Sequence, residues 1–230
     1  MVIPITDEGF RYGRGVFETL KVVRGNALFQ SWHEENLRKA AEALSIDVSP
    51  LFFIDEAPKG TGIWRWYLTE SGIESTFSTR SETIPESATL NLATMRVNSH
   101  SWEARHKTLN YLSRVQAREE SSSFEVVMLN EHGEIASASM ANVFWVSQGM
   151  IHTPGADAGC RRGVIRRWII EQSGEKVKSG RFPVKSLDEA DEIFLTNSRI
   201  GILPVTDWDG KVLEVGPIAS KLWKSYSAFL

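Results

Sequence analysis

The chain has 230 residues, 42% of them hydrophobic and 10% aromatic, with a formal net charge of −3 at pH 7. That is enough apolar material for one large domain or two small ones with buried cores. No lysine- or arginine-rich run marks a nucleic-acid partner. No apolar stretch approaches the roughly 18 residues of a membrane span, and the opening MVIPITDEGF lacks the pattern of a secretory leader. The single cysteine, Cys160, excludes an internal disulfide and a cysteine-based metal cluster, and the five histidines are scattered without metal-ligand spacing. These features predict a cytoplasmic protein with no metal site.

In chain order, GVFETLKV at 15–22 alternates and reads as a strand. Arg24-Gly25-Asn26 turns the chain into a second strand at 27–30. Ser31 is placed to cap a helix over 31–44, in which Leu37, Ala40, Ala41 and Leu44 form one stripe. Residues 62–70 and 88–95 read as strands, 82–87 as a turn and 96–102 as a domain linker. A helix is expected over 108–120, with Leu109, Leu112, Val115 and Gln116 on its apolar face. Strands follow at 124–129 and 143–146, a helix at 163–172, a buried strand at 192–198 and a helix from Pro217 to Leu230. The mixture predicts an α/β or α+β protein, with a small domain over 1–98 and a larger one over 99–230.

Three segments carry candidate chemistry. Lys107-Thr-Leu-Asn110-Tyr111 follows His106 and Arg105. An imine-forming lysine must lose its proton near neutral pH, which burial or neighbouring cations promote. Gly133-Glu-Ile-Ala-Ser137-Ala-Ser-Met-Ala-Asn142-Val-Phe144-Trp145 comes next. The third segment runs from Thr153 to Arg166 and opens a helix just after Gly163, a natural anion site because free N–H groups and the helix dipole point outward there. Ile5-Thr-Asp-Glu-Gly-Phe-Arg-Tyr-Gly-Arg-Gly15-Val-Phe17-Glu18-Thr19-Leu precedes them all.

Together, in this order, these segments resemble class IV (fold type IV) enzymes that use pyridoxal 5'-phosphate (PLP). The G-x-F-E-T-L opening looks most like the aminodeoxychorismate lyases, with branched-chain and D-amino-acid aminotransferases next. The resemblance implies a small N-terminal α/β domain, a larger C-terminal domain whose strands form a pseudo-barrel with flanking helices, and a homodimer acting on a small amino substrate. It implies that Lys107, in the larger domain, is the Schiff-base lysine and moves the substrate's α proton. Tyr111 would stand near the cofactor ring, and Phe17 and Thr19 on the substrate side, with Thr19 a candidate acid-base helper. Gly163, Val164 and Ile165 would hold the phosphate together with Ser198 of Thr196-Asn197-Ser198.

Two positions depart from the family pattern. Where relatives carry H-x-x-R-L, with an arginine for the phosphate, this chain reads His33-Glu-Glu-Asn36-Leu37. Asn36 donates a hydrogen bond but brings no charge. Lys39 shares its face, and Arg161, Arg162 and Arg166 are further sources of charge. The second departure lies five residues before Asn142, where relatives have a glutamate that keeps the pyridine nitrogen protonated. Here that position is Ser137, which favours a weaker electron sink; Glu134 lies at an odd strand offset from it. Three functions follow. The first is a lyase giving 4-aminobenzoate and pyruvate from 4-amino-4-deoxychorismate, the second a class IV aminotransferase, and the third a non-catalytic paralogue.

Overall fold

The computed structural model describes residues 4–53, 56–79 and 83–230. Glu82, the first residue of the expected turn at 82–87, lies outside them. The chain divides into two compact units, Met1–Thr83 with His106–Tyr111, and Ile84–Arg105 with Leu112–Leu230.

The first unit contains α1 (Glu8–Tyr12), β1 (Val16–Val23), β2 (Asn26–Ala27), α2 (Gln30–Ala43), β3 (Gly62–Thr69) and β4 (Gly72–Ser78). Its four strands form an antiparallel sheet in the order β2-β1-β3-β4. Alternation along β1 sends Val16, Glu18, Leu20 and Val22 to the buried face and leaves Phe17, Thr19 and Lys21 half-buried on the other. The buried face packs with Trp64, Trp66 and Leu68 of β3 against Leu37, Ala40 and Ala41 of α2. The expected stripe on α2 is therefore present, but its start differs. Phe29, in the left-handed region, is the N-cap, and Ser31 lies one residue inside the helix. The second strand ends at Ala27.

The second unit contains β5 (Ala88–Val97), α3 (Trp102–Arg105), α4 (Leu112–Glu119), β6 (Glu125–Asn130), β7 (Ile135–Ala138), β8 (Asn142–Ser147), β9 (Met150–Pro154), α5 (Val164–Gln172), β10 (Val177–Gly180), α6 (Lys185–Asp188), β11 (Glu192–Asn197), β12 (Gly201–Trp208), β13 (Lys211–Val212) and α7 (Pro217–Ser227). A mixed sheet runs in the order β10-β9-β8-β11-β12-β5-β6-β7, with β13 on β12. Strands β6, β8 and β11 are buried along almost their whole length, because both faces are covered. One face packs Val127, Val143, Ile193 and Leu203 into a core, and the other packs Val126 and Met128 against Ala117 of α4 and Ala104 of α3.

Three expectations change here. The stretch 96–102 is no linker, since β5 runs to Val97 and pairs in parallel with β6 and β12. That pairing brings residues 84–98, expected in the small domain, into the second unit, while His106–Tyr111 joins the first. Residues 108–110 are not helical; α4 starts only at Leu112. On α4 the apolar residues Leu112 and Val115 are exposed and Arg114 and Ala117 are buried, the reverse of the expected face. Backbone pairing causes the first two changes, and periodicity alone does not report which side of a short helix meets the core.

Candidate active site

The lysine segment is held by backbone pairing. Phe17 N donates to Lys107 O and Leu109 N donates to Gly15 O, each at 2.9 Å, with Val16 and Thr108 bridged antiparallel between them. Gly15 allows this close approach, for a Cβ there would lie 2.5 Å from Leu109 Cδ1. The pairing fixes the Lys107 side chain over the half-buried face of β1. Its Nζ donates to Thr19 Oγ1 at 3.1 Å and stands 4.5 Å from the centre of the Phe17 ring. Tyr111 meets the Phe17 ring edge-on at 5.2 Å, and Tyr67 stacks on it at 6.1 Å. Lys107, Thr19, Phe17 and Tyr111, singled out separately in the sequence, thus form one cluster.

Sequence reading missed two cations on the same face. Directly paired antiparallel residues project to one side of a sheet, so Arg65, opposite Thr19, and Lys21, opposite Ile63, flank the cluster. Burial lowers the pKa of the Lys21 ammonium. The signal was present in the alternation of β1 and β3, but only the pairing register brings Arg65 beside Thr19.

On the opposite face, Glu18 is buried against His33 of α2, with Nδ1 and Oε2 2.7 Å apart. Burial alone would raise the Glu18 carboxyl. The charge and hydrogen bond of His33, aided by Lys107 and the Thr19 amide, outweigh it and hold the carboxyl below its ordinary value. Asn36 is half-buried, three residues along α2 from His33. Lys39, offered above as a source of charge, is exposed and paired with Glu35.

In the second unit, Gly163 is the N-cap of α5, with no side-chain cap and no acidic residue in the first turn. The N–H groups of Val164, Ile165 and Arg166 lack intrahelical acceptors by helix geometry. A Cβ on Gly163 would lie 2.2 Å from Asn142 Oδ1. Asn142 Nδ2 donates to Arg161 O at 2.9 Å, and across the sheet Asn142 pairs with Thr196. The Thr196 hydroxyl is fully buried and has no hydrogen-bond partner among the described residues. Asn197 Oδ1 accepts from the amides of Arg199 and Ile200, which shapes the turn carrying the half-buried Ser198. The side chains of Val164 and Ile165 are buried in the core, so only their backbone faces outward. Arg166 is committed elsewhere, its Nη2 donating to Pro154 O and Ser179 Oγ at 2.9 Å each.

A glycine-gated helix start beside an unsatisfied buried hydroxyl fits a phosphate monoester. A half-buried amine on an aromatic ring fits an imine-forming lysine. Ser137 is buried on β7, and its Oγ accepts from Arg114 Nη1 at 3.1 Å. Arg114 was not foreseen, because no local pattern shows a charge turning inward on a helix with outward leucine and valine. Glu134 is engaged by Arg181 and Asn130.

Comparison with known proteins places the chain in a family. The family model for amino-transferase class IV matches residues 15–208. The chain is 29% identical to an aminodeoxychorismate lyase of Bacillus subtilis over 87% of its own length and 79% of that protein. It is 24% identical to a D-alanine aminotransferase of Bacillus licheniformis over 93% and 86% of the two chains. Among solved structures, the 4-amino-4-deoxychorismate lyase of Pseudomonas aeruginosa superposes with a TM-score of 0.90, at 26% identity, over 100% of this chain and 96% of that one. The branched-chain aminotransferase of Thermoproteus uzoniensis shares the fold, with a TM-score of 0.87 at 22% identity over 98% and 88%. The architecture is the expected mixed α/β fold type IV, with two half-barrel sheets. The chain therefore belongs to the amino-transferase class IV family of PLP-dependent enzymes.

Proposed function

We propose that this enzyme is a lyase of the aminodeoxychorismate type, which converts 4-amino-4-deoxychorismate to 4-aminobenzoate and pyruvate. The observation that carries the reading is the hydrogen bond from Lys107 to Thr19, flanked on one sheet face by Lys21 and Arg65. When bound, PLP supplies an aldehyde that condenses with amines and a ring that withdraws electrons from the carbon bearing the amine.

In this reading Lys107 is the imine-forming amine and the base that takes the proton from that carbon. Thr19 holds the amine in place and offers a hydroxyl for proton delivery. The bond from ring carbon to the enolpyruvyl oxygen breaks, and the departing enolate takes up a proton to become pyruvate. Lys21 and Arg65 place two cations where an anionic substrate with two carboxylates has need of them. The N–H groups of Val164 and Ile165, with the hydroxyls of Ser198 and Thr196, bind the phosphate. Thr196 in this role offsets the apolar Ile165. Asn36 adds a neutral donor, and Ser137 meets the ring nitrogen. The resemblance further supports a homodimer, and the single cysteine is in keeping with a reducing, cytoplasmic setting.

The test is direct. PLP-loaded protein is supplied with 4-amino-4-deoxychorismate, and 4-aminobenzoate and pyruvate are measured in equal amounts. Conversion of branched-chain or D-amino acids to keto acids, with no 4-aminobenzoate formed, would replace the lyase by an aminotransferase. That second reading has its own support in the similarity to D-alanine aminotransferase. Absence of both activities leaves the non-catalytic reading motivated by Asn36 and Ser137.

A further inference from the structure

Arg114 is only 5% exposed, although Leu112 on the same helix is 65% exposed. Turning an arginine inward and a leucine outward runs against the hydrophobic gradient. A buried guanidinium is tolerated only where acceptors meet its N–H groups. The acceptors for its Nη1 are gathered at one place, the end of β7 and the residue after it. Arg114 Nη1 donates to Ser137 Oγ, Ala138 O and Ser139 O at 3.1, 3.2 and 3.1 Å. Ala117, one turn along α4, and Ala136 on β7 belong to the same small-residue core, which lets helix and strand come close enough for this reach.

The consequence falls on Ser137. Its oxygen accepts from a cation, so its own hydrogen is left to donate, and it donates to no protein group among the described residues. We propose that the Arg114–Ser137 pair meets the ring nitrogen of PLP, with Ser137 donating to it and Arg114 acting through Ser137, and that the pair holds this nitrogen unprotonated. The inference rests on the assignment of Ser137 to the cofactor in the reading above. A proton on the nitrogen would face the serine hydrogen and a guanidinium behind it, and like charge disfavours the charged form. The nearby carboxylates are committed: Glu134 to Arg181 and Asn130, Glu125 to Ser139 and the amides of Val126 and Met140.

An unprotonated ring draws electrons less strongly, so the pair separates the candidate reactions. Loss of pyruvate from 4-amino-4-deoxychorismate creates an aromatic product and needs little help from the cofactor ring. Reversible amino-group transfer gains no such driving force and depends on that ring. Ser137 with Arg114 thus selects substrates that carry their own leaving group and aromatise.

The experiment loads the protein with PLP bearing nitrogen-15 in its ring and follows the nitrogen NMR shift with pH. In the wild type the signal is expected at the unprotonated-pyridine position, unchanged across the interval in which the free cofactor's ring nitrogen titrates. Arg114→Gln is expected to bring a protonation step into that interval, a change that a merely structural arginine would not cause. Ser137→Glu in the Arg114→Gln background is expected to move the signal to the pyridinium position. A pyridinium signal in the wild type overturns the inference and leaves the cofactor assignment standing. A signal indifferent to both Ser137→Ala and Arg114→Gln overturns the inference and the assignment of Ser137 to the ring nitrogen with it. Protein that gains no visible absorbance on loading overturns the inference together with the assignment. If the double variant does not fold, the wild-type titration decides alone.

Discussion

Glu18 Oε2 lies 2.7 Å from His33 Nδ1, both side chains buried beneath the sheet face that carries Lys107. Removing one partner of a buried pair leaves an uncompensated polar group, at a cost of about 3–5 kcal/mol. His33→Ala is therefore expected to lower stability by roughly that amount in urea unfolding at neutral pH. The acid limb carries the sign. Glu18 is held below its ordinary value, so its contribution is complete above the usual carboxylate range near about pH 4.3. It is lost as pH falls through the lower folded-state value. Without His33 the main cause of the lowering is gone, so the acid-side loss tied to Glu18 goes with it, and the stability gap between wild type and His33→Ala is expected to narrow as pH falls below the carboxylate range. A gap of equal size at neutral and acid pH would show that the pair is not coupled.

Lys107 and Thr19 separate chemistry from positioning. Lys107→Ala is expected to abolish trapping of PLP by borohydride at this residue, read by peptide mass, and to lower kcat by on the order of 10²–10⁴-fold. Thr19→Val removes one hydrogen bond to the amine and is expected to cost roughly tenfold in kcat. Trapping at another lysine would move the imine away from residue 107.

At Gly163 the crowding is specific. A methyl group would press on Asn142 Oδ1, and overpacking of this kind costs about 1–3 kcal/mol. Gly163→Ala is expected to weaken PLP binding by about tenfold or more, measured by titration of the bound-cofactor absorbance. Unchanged affinity would place the phosphate elsewhere.

Tyr226 on α7 tests a buried polar group that is given no part in the chemistry. Its hydroxyl is buried without a hydrogen-bond partner among the described residues, and burial pushes its pKa up to about 12. Tyr226→Phe removes an unsatisfied polar group and is expected to be neutral or to stabilise by about 1 kcal/mol in thermal unfolding. Spectrophotometric titration is expected to show one tyrosine ionising only near about 12. A clear loss of stability in Tyr226→Phe would point to a bonding partner for the hydroxyl.

The legible part of this protein is local. Alternation in β1 and the stripe on α2 fix which faces are buried, because side-chain periodicity follows directly from backbone geometry. The order of the Lys107, Asn142 and Gly163 segments identified the family before any contact was known. The misread stretches share one cause. The end of β5 and residues 108–110 take their conformation from distant backbone partners that local sequence does not name.

The sequence by itself determined the family, the one lysine worth naming and the helix start with its glycine, since each depends on residue type at short spacing. Tertiary structure alone decided what surrounds them. Strand register set Arg65 beside Thr19, and burial of α4 turned Arg114 rather than Leu112 inward onto Ser137. Pairings between segments far apart in the chain are chosen by the total burial and hydrogen bonding of the folded state. That choice made Ser137, a lost carboxylate in the sequence, the partner of a buried cation.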